Sequence, residues 1–199
     1  MISGILLAAG AARRFGAAKL SQHLADGTPV GLRSLRNLQA ALEHVVVVTR
    51  AGDEVARSLY SSANAHIVVC HDADQGMGHS LAAGVAYEAQ ARGWIVALAD
   101  MPNIRPETIR SIADKLSEGG VIVVPYFGSE RGHPVGFGET FKFELLALSG
   151  DSGARAILQA HPQAIRRLDV NDPGILQDVD TPQDLQRVID SMRSGKSTG

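Results

Sequence analysis

The stretch Ile2–Lys19, ISGILLAAGAARRFGAAK, decides the fold of this chain. It begins as a continuous apolar run, Ile2–Ala8, which is typical of a strand buried on both faces of a parallel sheet. The run passes into small residues around Gly10 and then into two arginines, Gly16 and Lys19. Open α/β sheets bind their ligands outside the carboxyl ends of the strands, which is where this loop would lie. The stretch therefore predicts an α/β protein with an anion-binding loop after its first strand.

The chain up to Pro125 repeats this alternation of short apolar runs and longer amphipathic stretches. Four further runs predict strands: Val45–Thr49, Ala65–Cys70, Trp94–Ala99 and Val121–Pro125. The stretches between them predict helices: Val30–Leu42, Asp53–Ser61, Met77–Arg92 and Pro106–Ser117. Such alternation predicts a Rossmann-like, doubly wound, mostly parallel sheet with helices on both faces.

The pattern loosens after Pro125. A glycine-rich, charged loop is predicted first, then a strand, two helices and another strand: Gly128–Gly132, Pro134–Phe137, Thr140–Leu148, Gly153–Ala160 and Ile165–Val170. Thr181 and Pro182 predict the start of a last helix, with Thr181 as its cap. No linker or repeat interrupts the chain, so we expect one domain over residues 1–193 and a disordered tail over 194–199.

Composition excludes several classes of protein. The 199 residues carry a formal net charge of −2, so we expect no general electrostatic attraction to nucleic acid or to a membrane surface. The single cysteine, Cys70, cannot form an internal disulfide or a cysteine zinc site. The apolar start lacks the features of a signal peptide, and no apolar run is long enough to span a bilayer. A cytoplasmic protein is the expectation.

The loop after the first strand has the chemistry of a phosphate site. Small residues let backbone N–H groups approach a triphosphate, Arg14 offers a planar two-pronged donor set, and Lys19 offers a compact charge. The glycine spacings of a Walker loop and of a GxGxxG fingerprint are both absent. A surface loop with solvated basic side chains is the alternative. The predicted nucleotide-binding residues here are Leu7, Ala8, Ala9, Gly10, Arg14 and Lys19.

Leu-Ala-Ala-Gly at residues 7–10, followed by Arg14-x-Gly16-x-x-Lys19, resembles the signature of the MobA-like nucleotidyltransferases. Within that family the chain is most similar to the MocA-like molybdenum cofactor cytidylyltransferases. Five further family-like segments follow in order: Gly76–Leu81, Ala99–Pro102, Gly132–Val135, Leu148–Arg155 and Asp178–Pro182. The resemblance implies Mg²⁺-dependent transfer of CMP from CTP to the terminal phosphate of a molybdopterin-type cofactor, with release of pyrophosphate. It also implies a recipient molybdoenzyme or its chaperone as a partner.

Two carboxylates are candidates for holding Mg²⁺. Asp100 directly follows the apolar run Trp94–Ala99, so it would face the same crevice as the first loop. Asp180, just ahead of the last helix, is the second candidate, and the family's magnesium aspartates lie in these two motifs. Asp180 could instead be an ordinary capping residue, and Asp178 is an alternative ligand. With Arg14 and Lys19, Asp100 completes the predicted catalytic set.

The segment around Gly76, Gly78 and Ser80 precedes a long predicted helix, and the resemblance implies that it faces the nucleotide base. Ser80 could hydrogen-bond the base or ribose, or simply cap that helix. Ala9, where the guanylyltransferase branch has glycine, is expected to narrow the pocket against a purine. Two departures from the family pattern, Ala12 and Cys70, bear on nucleotide choice more than on reaction type.

The acceptor phosphate is expected against Arg131, His133, Asp151 and Arg155, where the resemblance places it. A loop histidine without a role and a solvated helix arginine are the alternatives for His133 and Arg155. The predicted reaction is in-line attack on the α-phosphorus without a general base, because a phosphate nucleophile is already ionised. Alternatives are the same chemistry with GTP or with a sugar or polyol phosphate, and a non-catalytic protein that binds or delivers molybdenum cofactor.

Overall fold

The first strand, β1 (Ser3–Leu7), lies inside an eight-stranded sheet in the computed structural model, which describes residues 1–10, 19–119, 121–151 and 153–194. It pairs in parallel with β2 (His44–Arg50) on one edge and with β4 (Gly93–Leu98) on the other. β3 (His66–Cys70) continues the sheet beside β2, also in parallel. All five residues of β1 are buried, as the unbroken apolar run predicts.

The other half of the sheet is mixed. β5 (Ile122–Phe127) is separated from β4 by β7 (Val135–Gly138), which pairs antiparallel with both. β8 (Ile165–Asp169) lies in parallel along the other edge of β5. β6 (Glu130–Arg131) pairs antiparallel with the end of β5. β6 falls in the predicted loop Gly128–Gly132, because an antiparallel ladder of two residues requires only backbone groups and leaves no apolar pattern.

Helices cover both faces, which confirms the predicted α/β architecture. Alternate residues of β1 point to opposite faces, so Leu6 and Ala8 join one core cluster while Ile5 and Leu7 join the other. The first cluster is covered by α1 (Val30–Gln39), α2 (Glu54–Ser61) and α4 (Pro106–Ser117). The second is covered by α3 (Met77–Tyr87), α5 (Lys142–Leu146) and α6 (Arg155–Ala160). α7 (Pro182–Ser194) packs on a small third cluster through Val188.

The end of α3 differs from the predicted one because of contacts made by the residue that follows it. α3 was expected to reach Arg92 but ends at Tyr87. The carbonyl of the next residue, Glu88, accepts a hydrogen bond from the Trp94 indole at 3.1 Å, and its carboxylate accepts one from the Ser3 hydroxyl at 2.8 Å. These contacts hold Glu88 outside the helix. Across the described ranges, no helix combines the length and apolar character needed to cross a bilayer.

Candidate active site

Three strand ends meet around two adjoining cavities. We name them after one lining residue each: the Lys19 cavity has a volume of about 330 Å³ and the Ser80 cavity about 410 Å³. Both are lined by Leu7 and Gly10 after β1, Arg50 at the end of β2, and Asp100 after β4. This is the edge of the sheet where parallel strands present their carboxyl ends, so the cavities lie where α/β proteins bind ligands.

A three-residue ionic cluster lies in the Lys19 cavity. The Lys19 ammonium lies 2.7 Å from Asp100 Oδ2 and 3.0 Å from Asp180 Oδ1. Burial by itself would lower the pKa of Lys19, but the hydrogen bonds and charges of Asp100 and Asp180 outweigh it and raise the pKa above its ordinary value. Lys19 is therefore fully charged at neutral pH. The structure thus brings together the cation and both carboxylates that the sequence singles out, from positions 161 residues apart at most.

Local backbone contacts explain how Asp180 reaches Asp100. The Val179 N–H donates to the Asp100 carbonyl at 3.0 Å, which fastens the segment before α7 to the end of β4. Thr181 and Asp184 then cap α7 reciprocally: the Thr181 N–H donates to the Asp184 carboxylate at 2.9 Å, and the Asp184 N–H donates to the Thr181 hydroxyl at 3.2 Å. Since Thr181 and Asp184 supply the cap, Asp180 is free for the cavity.

Asp178, the alternative ligand, occupies a different environment. Burial, together with the nearby charges of Asp180, Asp100 and Asp184, raises the pKa of Asp178. Lys19 forms its ion pairs with Asp100 and Asp180 instead.

The cluster fits a hard divalent cation. Asp100 Oδ1 is buried and has no hydrogen-bond partner in the described part of the chain, while Asp100 Oδ2 and Asp180 Oδ1 already converge on one cation. The described residues contain no group of three or more His, Cys, Asp or Glu side chains arranged for a metal. Two carboxylates are what Mg²⁺ typically takes from a protein when substrate phosphates supply further oxygens. Asp100 and Asp180 therefore suit a metal that arrives with a nucleotide.

The start of α3 forms one wall of the Ser80 cavity. Gly76 has a φ of +127°, and a Cβ there would lie 2.2 Å from the Gly150 carbonyl carbon, so only glycine fits. Gly78 is equally confined, because a Cβ there would lie 2.8 Å from the Ser149 backbone. Ser80 is buried inside α3, whose N-cap is Gly76, so Ser80 does not cap the helix. Gly76 and Ser80 line the cavity, whereas Gly78 packs against the neighbouring loop.

A third cavity of about 290 Å³, which we call the His133 cavity, shares Leu7 with both of the others and Asp151 with the Ser80 cavity. Its floor is apolar and includes Leu81, Leu98 and Phe137. The charged and histidine side chains that line it among the described residues are the four predicted acceptor residues Arg131, His133, Asp151 and Arg155. Sequence positions from β6 to α6 thus converge on one pocket.

His133 contributes a partly buried imidazole to this cavity. Burial lowers its pKa below the ordinary 6.5, Arg131 adds to the lowering, and the charge of Asp100 opposes it in part. Its Nδ1 atom is buried without a hydrogen-bond partner in the described residues, and its backbone N–H donates to the Ile175 carbonyl at 3.0 Å. This contact fixes the backbone of His133, and one ring nitrogen has no partner among the described residues.

The remaining predicted residues divide between described and undescribed parts of the chain. Ala8 lines the Lys19 cavity and Ala9 lines the Ser80 cavity. Arg14, predicted to bind phosphate, and Ala12 lie outside the described residues. Cys70 is buried at the end of β3. The individual roles of all these residues stay predictions.

Sequence reasoning missed three polar residues. Arg50 and Asp74 line the Ser80 cavity, and the position of Arg50 at the end of a predicted strand was a usable signal. Asp172 is 2% exposed and accepts hydrogen bonds from the Arg105 N–H at 2.9 Å and the Thr108 hydroxyl at 2.7 Å. No local pattern marks Asp172, because those partners lie more than sixty positions away.

Known proteins resemble this chain over most of its length. The family described as MobA-like NTP transferase domain matches residues 4–165. The purine catabolism protein PucB of Bacillus subtilis is 33% identical, over 95% of this chain and 96% of PucB. The nicotine blue oxidoreductase of Paenarthrobacter nicotinovorans is 29% identical, over 94% of this chain and 96% of the oxidoreductase. The crystal structure of Rv0371c from Mycobacterium tuberculosis in complex with manganese superposes with a TM-score of 0.80 at 27% identity, over 96% and 98% of the two chains.

Proposed function

Because the chain belongs to the family of MobA-like NTP transferase domains, we propose that it transfers CMP from CTP to a molybdopterin-type cofactor. The acceptor would be the terminal phosphate of molybdenum cofactor, and pyrophosphate would leave. The observation that carries this proposal is the cluster of Lys19 with Asp100 and Asp180 in a cavity at the strand ends. The manganese complex of the related Rv0371c supports a divalent metal in this fold, and Mg²⁺ is our proposal for the ion.

Asp100 and Asp180 would hold the metal. When bound, Mg²⁺ would neutralise charge on the α-phosphate and on the departing pyrophosphate. Lys19, which bridges the two carboxylates, would turn its ammonium to the phosphates when the metal takes its place. Arg14 would add a second cation from the same loop. These cations would offset part of the negative charge of the phosphates before reaction.

The chemical step needs positioning more than acid–base chemistry. An oxygen of the acceptor phosphate forms a bond to the α-phosphorus of CTP, and the bond from that phosphorus to the pyrophosphate oxygen breaks in line with it. The acceptor oxygen is already ionised at neutral pH, so no proton has to be removed. The protein contributes by holding the two phosphates in one geometry while Lys19 and Arg14 offset the charge of the leaving group.

Ala9 supports CTP over GTP. Ala9 lies in the lining of the Ser80 cavity, where its methyl group would narrow the space open to a purine ring. Ser80, in the same lining, supplies a hydroxyl for the base or ribose. A smaller pyrimidine is the better match for this wall.

The His133 cavity supports the acceptor class. A flat heterocycle matches its apolar floor, while Arg131 and Arg155 offer charge-assisted hydrogen bonds to a phosphate. A sugar or polyol phosphate would leave the apolar floor without a matching surface. The nucleotidylated product would then pass to a recipient molybdoenzyme or its chaperone.

Pyrophosphate release tests the proposal directly. Purified protein with Mg²⁺ and molybdenum-loaded molybdopterin should release pyrophosphate faster with CTP than with GTP, ATP or UTP, and Asp100→Asn should lower the release by about 100-fold. Faster release with GTP would overturn the cytidine assignment. Release with a sugar phosphate in place of molybdopterin would overturn the acceptor, and no release with any triphosphate would favour a protein that only binds or delivers the cofactor.

A further inference from the structure

Arg50 is the second described cation at the strand ends. Lys19 and Arg50 are the two basic side chains among the described residues that line the Lys19 and Ser80 cavities. The same two cavities are lined by five carboxylates: Asp53, Asp74, Asp100, Asp151 and Asp180. A nucleoside triphosphate entering this acidic region needs every available positive group, and Lys19 is shared between two aspartates. Of these two described cations, Arg50 is therefore the one less strongly paired with carboxylates.

The present partner of Arg50 is Asp74, across the mouth of the Ser80 cavity. The Arg50 side chain is 27% exposed, but that of Asp74 is 81% exposed and sits on a short 3₁₀ turn, Ala73–Gln75. Ion pairs with such an exposed member contribute little to stability, because water and salt screen them. The Arg50–Asp74 pair can therefore be exchanged for a stronger partner at small cost.

The backbone of Arg50 is fixed, so only its side chain has to move. Arg50 is the last residue of β2 and is paired in register with Cys70 of β3. The following N–H, of Ala51, donates to the Cys70 carbonyl at 3.2 Å. A guanidinium at a strand end presents two parallel donors, which suit phosphate oxygens better than a single oxygen of an exposed carboxylate.

We propose, on the premise of the function above, that Arg50 is a phosphate-binding residue that Asp74 holds in the nucleotide-free protein. Asp74 releases Arg50 to the triphosphate when a nucleotide enters. Asp74 thus acts as a competitor of the nucleotide, and it acts only through Arg50. Arg50 binds the phosphates rather than the base, which makes its contribution independent of base identity.

Calorimetric binding tests this proposal without the acceptor. Wild-type protein, Arg50→Gln, Asp74→Asn and the double variant are titrated with CTP, with inorganic tripolyphosphate and with cytidine, each with Mg²⁺. Arg50→Gln should weaken CTP and tripolyphosphate alike, by about 10-fold or more, as expected for a lost charge-assisted hydrogen bond. Asp74→Asn should tighten both by about 2- to 5-fold, the strength of an exposed ion pair. The double variant should match Arg50→Gln.

Arg110→Gln is the matched control, since Arg110 also pairs with an exposed carboxylate, Glu107, but lines none of these cavities. It should bind CTP like the wild type, and all variants should keep the wild-type melting temperature. Tightening by Asp74→Asn that persists without Arg50 would overturn the proposal, because Asp74 would then act as a general negative charge. A loss of cytidine affinity equal to that of CTP would overturn it in favour of base recognition.

Two failures remain distinguishable. If wild-type protein binds CTP but Arg50→Gln binds it equally well, the role of Arg50 is wrong and the proposed function is untouched. If wild-type protein binds neither CTP nor tripolyphosphate, the proposed function is wrong and the role of Arg50 is overturned with it.

Discussion

The backbone N–H of Val179 donates to the backbone carbonyl of Asp100 at 3.0 Å. This one hydrogen bond joins the end of a central strand to the segment that enters the last helix. Because it runs between backbone groups, it sets the positions of Asp100 and Asp180 independently of their charge. The carboxylate pair is therefore held before any cation binds, which is the kind of preorganisation that electrostatic catalysis requires.

Replacing carboxylates by amides should distinguish the proposed metal ligands, Asp100 and Asp180, from their neighbour Asp178. Asp100→Asn and Asp180→Asn should each lower CTP-dependent pyrophosphate release by about 100-fold, which corresponds to ~2.7 kcal/mol at 1.36 kcal/mol per decade. Asp178→Asn is the control, because Lys19 does not pair with it in the structure, and it should lose far less. A larger loss for Asp178→Asn than for Asp180→Asn would assign the second ligand to Asp178.

Removing the Lys19 charge should strengthen metal binding in the absence of nucleotide. The ammonium now occupies the position between Asp100 Oδ2 and Asp180 Oδ1, so a cation has to displace it. Lys19→Met should bind Mn²⁺ more tightly than the wild type in an electron paramagnetic resonance titration, while its CTP turnover falls. Equal Mn²⁺ affinity in the two proteins would show that Lys19 does not compete with the metal.

A methyl group added at Gly10 should weaken ligand binding, whereas one added at Gly76 should lower stability. At Gly10 an added Cβ meets none of the described residues within 4 Å, so Gly10→Ala should keep the wild-type melting temperature yet weaken CTP binding at the cavity edge. At Gly76 the Cβ would overlap the Gly150 backbone at a positive φ, so Gly76→Ala should lower the free energy of unfolding by more than about 2 kcal/mol. Thermal denaturation and calorimetry distinguish them, and a destabilised Gly10→Ala would contradict this account.

Stability should fall below neutral pH because of His133. Above about pH 6.5 the imidazole is neutral in both the folded and the unfolded chain. As the pH falls further, the unfolded chain takes up a proton that the buried His133 resists, since burial lowers its pKa in the folded state. The free energy of unfolding should therefore decrease between about pH 6.5 and the lowered pKa. Urea denaturation should show a shallower decrease in His133→Asn, and an unchanged slope would count against the buried neutral ring.

Asp172 should stabilise the fold without touching a substrate. Its carboxylate accepts hydrogen bonds from Arg105, Thr108 and Gly174 between α4 and the segment that leads to Asp180. Asp172→Ala leaves these buried donors unpaired and should cost about 3 kcal/mol of unfolding free energy. Thermal melting checks this, with the exposed Asp169→Ala as control. A melting temperature equal to that of Asp169→Ala would contradict the assignment.

The sequence predicts most of the fold because its signals are local. Continuous apolar runs locate β1 and β4, and the predicted helix Pro106–Ser117 is found with the same ends. Strand order is a different matter, because the insertion of β7 between β4 and β5 depends on packing between distant residues. The early end of α3 likewise depends on Trp94, which no local pattern connects to Glu88.

The polar residues in and near the candidate site also differ in whether a local sequence pattern marks them. Lys19, Asp100 and Asp180 could be selected because each follows or precedes a predicted element at the same edge of the sheet. Asp172 could not, because its partners Arg105 and Thr108 are adjacent only after folding. The sequence marks Arg50 only by its place at the end of a predicted strand. The structure shows that it lines two cavities, which makes it a candidate for binding a ligand.

The late position of Asp180 has a consequence for how the protein comes into existence. While the chain is still being synthesised, the sheet core up to β8 can assemble with Lys19 and Asp100 but without the second carboxylate. The pair that holds the Lys19 ammonium therefore forms only after Asp180 has been added and has folded against the end of β4. A chain that stops before Asp180 would keep the strands of the sheet and lack the second carboxylate.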